Sequence, residues 1–333
     1  MTRLVSYLLR IPRWPVQLAS SLVLNSYITQ EVTRGVPCLA LNCYSCPAAA
    51  FACPIGTLQH MAVRMGLALS WGDPLGVLQA LPVYVLGILG LAGALIGRGA
   101  CGWLCPFGFL QELLFKLRAR LVRRLRRASF ENSPLLAAGL RPAANAGRHT
   151  PREHGRAAYF SATGCAPRVG NSSATEEKAR IRLPRLGWLR YAILVILVLL
   201  VPFLTGEPWF SRLCPAGALE AGIPQALLND YVRAQIGWFF GLKLVILAVF
   251  LVWMAFTRRP FCRFICPLGA IWSPFNRVSA VRLVVDAGSC IRCNACQQVC
   301  PVDIAIHQAP DSAQCIRCLE CVRHCPQGAI RVA

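Results

Sequence analysis

The chain has 333 residues, 56% of them hydrophobic, and its 35 Lys and Arg against 14 Asp and Glu leave a formal charge of +21. In a soluble protein that imbalance would point to nucleic acid or another anionic partner. Here the basic residues flank long apolar stretches on one side, the positive-inside pattern of a multi-pass membrane protein. Membrane topology therefore accounts for the charge, and nucleic acid is set aside as a partner.

The N-terminal stretch is basic but has no clear small-residue cleavage site after an apolar core, so no cleaved signal peptide is expected. Residues 16–30 are uncharged, follow Arg10 and Arg13, and predict a first, short span. Cys38, Cys43, Cys46 and Cys53 come next, the last in a Cys-Pro-x-Gly motif. Residues 75–97 form a second apolar stretch closed by Arg98, followed at once by Cys101 and Cys105. Residues 109–127 read as an amphipathic helix with Lys116, Arg118, Arg120, Arg123, Arg124, Arg126 and Arg127, suited to the cytoplasmic face of an anionic bilayer.

From 129 to 182 the composition turns to Ser, Ala, Gly, Pro, Asn and charged residues, which predicts a flexible cytoplasmic linker. It carries His149, His154 and Cys165, read as loop residues in preference to a metal site. Residues 191–206 give the next span, entered from Arg182, Arg185 and Arg190 and flanked by Trp188 and Trp209. Cys214 opens another Cys-Pro-x-Gly motif, a short amphipathic segment runs to Tyr231, and the last span covers 236–257. Arg258 and Arg259 close it, ahead of Cys262 and Cys266. The flanks place residues 31–74 and 207–235 outside, and both chain ends in the cytoplasm.

The C-terminal region holds two runs, Cys290, Cys293, Cys296, Cys300 and Cys315, Cys318, Cys321, Cys325. Each sets three cysteines at intervals of three and a fourth four residues on, followed by proline, the spacing of bacterial two-cluster ferredoxins. In that arrangement the fourth cysteine ligates the other cluster. Cys290, Cys293, Cys296 and Cys325 are assigned to one 4Fe-4S cluster, and Cys315, Cys318, Cys321 and Cys300 to a second. Four thiolates also suit structural zinc, but eight interlocked cysteines favour the two cubanes, and electron relay is the first functional inference.

The motif Cys-Pro-x-Gly recurs at Cys53, Cys105, Cys214 and Cys266, and again at Cys325. Each half of the membrane region reads as a span, an outer Cys-Pro-x-Gly, a second span, and an inner Arg-x-x-Cys-x-x-x-Cys-Pro-x-Gly. That order predicts a duplicated two-span unit. Cysteines at i and i+4 on one helical turn face the same way. A pseudo-twofold axis would then gather Cys101, Cys105, Cys262 and Cys266 into a candidate third cluster site. The same reasoning outside groups Cys43, Cys46, Cys53 and Cys214 as a candidate fourth, with a disulfide or buried thiols as the alternative. Cys38 and Cys165 are left over.

Lys243 lies inside the last span, snorkelling outward or facing a quinone oxygen or cluster. Trp103, Phe107 and Phe109 are candidates to line a quinone pocket, and Glu112 and Glu220, near the membrane surfaces, are the candidates to carry away a quinol's protons, with no carboxylate relay inside a span. The expected fold is mainly α. It comprises a polytopic membrane part with about four transmembrane helices in two two-helix repeats, and a C-terminal α+β two-cluster ferredoxin domain. The expected segments are 1–128, 129–182, 183–280 and 281–333.

The motifs Cys101-Gly-Trp-Leu-Cys105-Pro-Phe-Gly-Phe-Leu-Gln and Cys262-Arg-Phe-Ile-Cys266-Pro-Leu-Gly-Ala-Ile, with the C-terminal double ferredoxin, resemble the membrane polyferredoxin family. That family includes the quinol-oxidising subunit of periplasmic nitrate reductase systems and the membrane domain of the nitrous oxide reductase regulator. The resemblance implies an electron-transfer protein of the bacterial cytoplasmic membrane, exchanging electrons between the quinone pool or a cytoplasmic donor and a redox protein or oxidoreductase complex. An accessory role in metalloenzyme maturation and a redox sensor are the rival readings. No residue is assigned to bond chemistry.

Overall fold

A computed structural model describes residues 11–24, 38–41, 53–131, 186–234 and 236–333. Three helices among them are long and apolar enough to cross a membrane: Pro74–Ile96 with 23 residues, Leu186–Thr205 with 20 and Trp238–Phe256 with 19. At 1.5 Å per residue they reach about 28–35 Å, the thickness of a bilayer's hydrocarbon core. Only 11–17% of each is buried inside the protein, an exposed apolar surface of the kind that lipid covers. The chain is a multi-pass membrane protein.

Three of the expected spans are therefore present. The expected first span, 16–30, is described only as far as Leu24, within a 12-residue helix Arg13–Leu24 about 18 Å long; positions 25–30 lie outside the described residues. So does the linker expected at 129–182 beyond the helical residues 129–131, with His149, His154 and Cys165 in it.

One helix falls within residues 31–74, which the sequence predicts as an outer segment. Pro54–Ser70 runs for 17 residues, starting with proline in its first turn after the extended residue Cys53, where a missing N–H costs nothing. It packs against the Leu186–Thr205 span. A Cβ on Gly66 would stand 2.3 Å from the Phe203 carbonyl oxygen, so the two backbones meet where a side chain is absent. Ile193–Leu200 and Ala218–Gly222 are π-helical, and each ends two residues before a proline, Pro202 and Pro224. A proline ring clashes with the carbonyl four residues back, and a widened turn relieves that clash.

The chain divides into two units, residues 1–115 with 183–333, and residues 116–182. In the second, the described part is the C-terminal portion of the helix Pro106–Glu131. There Leu117, Leu121 and Leu125 form an exposed apolar row at four-residue spacing among basic residues.

The C-terminal region of the first unit is a small α+β fold. Strand β1, Leu283–Val285, pairs antiparallel with β2, Ile330–Val332, Val284 facing Arg331. Two short helices, Ala295–Val299 and Glu320–Arg323, pack on each other. This region is tied to the first long span by Ala280 N–H to the Ala94 carbonyl at 2.8 Å and Val281 N–H to the Leu95 carbonyl at 3.0 Å. Asn276, fully buried, is the central knot: it accepts from the Arg98 amide at 3.0 Å and donates to the carbonyls of Ser312 at 2.9 Å and Cys315 at 2.8 Å.

Candidate metal centres

The Cys-Pro-x-Gly motif is a helix start, and at Cys105 and Cys266 the sulfur is its cap. Cys53, Cys214 and Cys266 each hold an extended conformation immediately before a helix with proline in its first turn. The Gly108 amide donates to Cys105 Sγ and the Gly269 amide to Cys266 Sγ, both at 3.3 Å. Proline supplies a helical φ where no N–H is needed, and the positive end of the helix favours a thiolate. This corrects the expectation that each inner pair shares one helical turn. Cys101 and Cys262 sit in the short helices Gly99–Trp103 and Pro260–Phe264, whereas Cys105 and Cys266 precede the next helices. Pro106 and Pro267 bar the earlier helix from continuing.

Cys101, Cys105, Cys262 and Cys266 are all buried and come together. Burial raises the Cys101, Cys105 and Cys266 thiols, and like-charge neighbours within the quartet raise them further. Every one of the pairs among the four sulfurs is within electrostatic reach. Three of the sulfurs have a donor: the glycine amides for Cys105 and Cys266, and Gln111 Nε2 at 3.1 Å for Cys262; Arg98 is within electrostatic reach of Cys101. Among the described residues no three Cys, His, Asp or Glu side chains are grouped for a single metal ion.

The two halves meet here reciprocally. Arg98 donates to the Cys262 carbonyl at 3.1 Å, and Arg259 to the Cys101 carbonyl at 2.8 Å. A Cβ on Gly108 would stand 3.2 Å from Arg259, and one on Gly269 would stand 2.6 Å from Arg98. Both glycines leave room for the opposite half's guanidinium. Arg259 is paired with Glu112 at 2.6 Å, and Glu112 also binds Arg13. Burial alone would lower the Arg259 pKa, but Glu112 and the nearby cysteines hold it raised. Clamped in this way, Glu112 is a structural counter-ion.

The ferredoxin cysteines differ in their surroundings. Cys290, Cys293, Cys296 and Cys325 line one cavity of about 360 Å³, counted out to open solvent, together with Arg292, Asn294 and His307. His307 Nδ1 lies 3.9 Å from Cys296 Sγ. Cys300, Cys315, Cys318 and Cys321 are instead all buried. Burial pushes the Cys318 thiol up to about 12, with Cys300 and Cys315 adding to the shift. Cys321 is raised by burial and then by Cys318, Cys315, Cys300 and Cys296, which brings the two groups into electrostatic reach of each other. Eight soft thiol donors in two such groups, one dry, fit two cubanes.

The buried group lies directly against the inner quartet. A Cβ on Gly102 would stand 2.4 Å from the Ile316 carbonyl oxygen and 3.6 Å from Cys318 Cα. Trp103 Nε1 donates to the Arg317 carbonyl at 3.1 Å. Trp103 is thus engaged in docking the ferredoxin fold, and Phe107 is buried edge-to-face against Phe261 at 5.0 Å; Phe107 does not line a lipid-accessible pocket. Phe109 is half-buried.

Of the proposed outer set, Cys53 and Cys214 are half-buried, and Cys43 and Cys46 lie outside the described residues. Cys38, left over in the sequence, is buried, its thiol pushed up to about 12 by burial, with Cys53 and Glu220 in electrostatic reach. Nothing in its spacing marked it, because it precedes no proline and belongs to no Cys-x-x-Cys pair. Lys243 is half-buried near the start of the Trp238–Phe256 span.

A family described as a 4Fe-4S binding domain matches residues 74–125, 186–225 and 239–283, and one described as a 4Fe-4S dicluster domain matches 282–326. An uncharacterised protein of Methanocaldococcus jannaschii is 28% identical over 212 residues, 64% of this chain and 62% of its own. The methylamine utilisation ferredoxin-type protein MauN of Methylorubrum extorquens is 25% identical over 68% of this chain and 59% of its own. The ferredoxin-type protein NapH of Haemophilus influenzae is 30% identical over 34% and 35%. The chain spans 54–62% of the length of the first curated relatives it matches. No solved structure matches it. Iron–sulfur binding thus has support from two family descriptions and from the donor sets themselves, and the chain is related, at moderate identity, to membrane-associated ferredoxin-type 4Fe-4S proteins.

Proposed function

We propose that the chain is an electron-transfer protein of the bacterial cytoplasmic membrane, its ferredoxin domain in the cytoplasm. It relays single electrons between the quinone pool or a cytoplasmic donor and a redox protein partner. The observation that carries this reading is the contact at Gly102. With no side chain there, the backbone next to Cys101 comes up against the backbone of Ile316 and Cys318. Clusters held by the three groups would each take up and release one electron, with no bond made or broken in the substrate protein.

The chain's own residues supply order and surroundings. The cavity group faces water, the buried group follows it, and the inner quartet comes last, beside the membrane-spanning helices. Gly108, Gly269 and Gln111 direct N–H groups at sulfurs, which sets how readily each site accepts negative charge. The reciprocal contacts of Arg98 and Arg259 support reading the two inner motifs as copies of one duplicated unit. The relatives' names as ferredoxin-type proteins agree with the relay.

Iron and acid-labile sulfide per chain, on protein purified in detergent without oxygen, test this. The expected count is about twelve irons or more, falling by about four when Cys101, Cys105, Cys262 and Cys266 are all changed to serine. About eight in both samples would confine clusters to the ferredoxin domain and defeat the relay into the membrane. Anaerobic mixing with a short-chain quinol then separates the donors: bleaching of the visible absorbance supports the quinone pool, and its absence leaves the cytoplasmic donor.

A further inference from the structure

The charges buried around the inner quartet do not balance. Among the described residues the buried ionic side chains, cysteines aside, are Arg13, Arg98, Arg190, Arg259 and Arg317 against Glu112 alone. Glu112 is already shared by Arg13 and Arg259. Arg98 and Arg190, 1% and 2% exposed, lie within electrostatic reach of each other, and neither has a carboxylate partner among the described residues. Both donate to the same carbonyl, that of Ala313, at 2.9 and 3.3 Å. Arg98 Nε and two of Arg190's nitrogens, Nε and NH1, are buried with no hydrogen-bond partner.

Two guanidinium groups side by side in a dry site repel each other and leave donors unsatisfied. Breaking a buried ion pair leaves this kind of uncompensated charge, which is strongly destabilising. An anion nearby removes the cost; Arg190 donates to the Tyr191 hydroxyl at 3.2 Å, and sulfurs stand within electrostatic reach of both arginines. Arg98 reaches Cys101 and Cys315, and Arg190 reaches Cys266. A cubane held by four thiolates is such an anion, and gains a further negative charge on reduction.

We propose that Arg98 and Arg190 are the counter-charges of the group held by Cys101, Cys105, Cys262 and Cys266, and that they raise its reduction potential by favouring the reduced state. The proposal rests on the reading above that this quartet holds a cluster. The two arginines are positioning residues, since they act through the charge they hold beside the site. Their placement is asymmetric. Arg259, the counterpart of Arg98 in the other half, has a carboxylate partner in Glu112, whereas Arg98 has none among the described residues.

The test is an EPR-monitored redox titration of the full chain in detergent, with iron counted in the same samples, on wild type, Arg98→Gln, Arg98→Lys and Arg190→Gln. With about twelve irons retained, each Gln variant is expected to shift the inner cluster's one-electron equilibrium toward the oxidised state by at least about tenfold, or ~59 mV. Arg98→Lys should return most of that shift, and the cavity group's signal should stay in place as internal reference. Loss of about four irons in Arg98→Gln, kept in Arg98→Lys, supports the same charge requirement.

Full iron with unmoved potentials in both Gln variants overturns the proposal. So does equal loss of iron in Arg98→Gln and Arg98→Lys, which would mark guanidinium shape as what matters. About eight irons in the wild type defeats the cluster reading itself, and this inference with it, so the two failures are told apart by the first column of the iron assay.

Discussion

The two ferredoxin cysteine groups share one spacing and one local fold, yet one opens to water and the other is sealed. In the first run Arg292 and Asn294, which flank Cys293, are left-handed, with φ of 52° and 57°; in the second Arg317 and Leu319, which flank Cys318, have φ of 47° and 61°. Such conformations are uncommon for residues other than glycine, and their pairwise recurrence marks two copies of one ligand loop. The surroundings then diverge. Ile291 is 49% exposed and its counterpart Ile316 is 0%; Cys293 is exposed and Cys318 buried. Ile316 and Arg317 are covered by Gly102, Trp103 and Asn276, all supplied from outside the ferredoxin fold. Spacing builds the loop, and packing decides which loop faces solvent.

The strongest way to break this comparison is to remove one equivalent ligand from each group. Cys318→Ser takes a ligand from the group on which the docking of the whole domain converges. Its iron should fall from about twelve to about four or fewer, with cleavage of residues 281–333 by a protease that spares the wild type. Cys293→Ser should lose about four irons and keep the domain protected. Equal losses, or protection kept in Cys318→Ser, would show that the buried group is not the one that anchors the domain.

Much of this was legible in sequence, for physical reasons that differ from part to part. Three spans could be read because lipid demands an uninterrupted apolar stretch. The ferredoxin-type domain could be read because Cys-x-x-Cys-x-x-Cys-x-x-x-Cys-Pro spacing carries it. The recurrence of one motif is what grouped Cys101, Cys105, Cys262 and Cys266, but their local geometry was not legible: proline at 106 and 267 splits each pair between two helices. The helix Pro54–Ser70 was hidden because His60 and Arg64 interrupt its apolar pattern. The burial of Arg98, Arg190 and Glu112 was not visible either. Charges next to a span read as interfacial, and only tertiary packing shows that these are enclosed.

Gly102 sharpens the comparison at the point of contact. Its absent side chain faces a backbone carbonyl of another segment, which cannot swing aside. Gly102→Ala should therefore cost about 1–3 kcal/mol by overpacking and lower the temperature at which the visible cluster absorbance is lost. Gly87→Ala is the control, because nothing stands within 4 Å of its Cβ position and alanine is the better helix former by roughly 0.5–1 kcal/mol. If the two variants melt alike, the ferredoxin fold is not seated at Gly102.

The smallest effect belongs to the seal itself. Trp103→Phe keeps an aromatic ring but removes the donor to the Arg317 carbonyl, a loss of about 1 kcal/mol. Local opening of the buried group should become about fivefold more frequent. A water-soluble oxidant such as ferricyanide would then bleach that group about fivefold faster, while the cavity group, exposed from the outset, reacts first and at an unchanged rate. A variant that instead speeds the cavity group alone would place Trp103's influence on the wrong side. The order of access from solvent to membrane would then have to be redrawn, because a seal acts only on the site it covers.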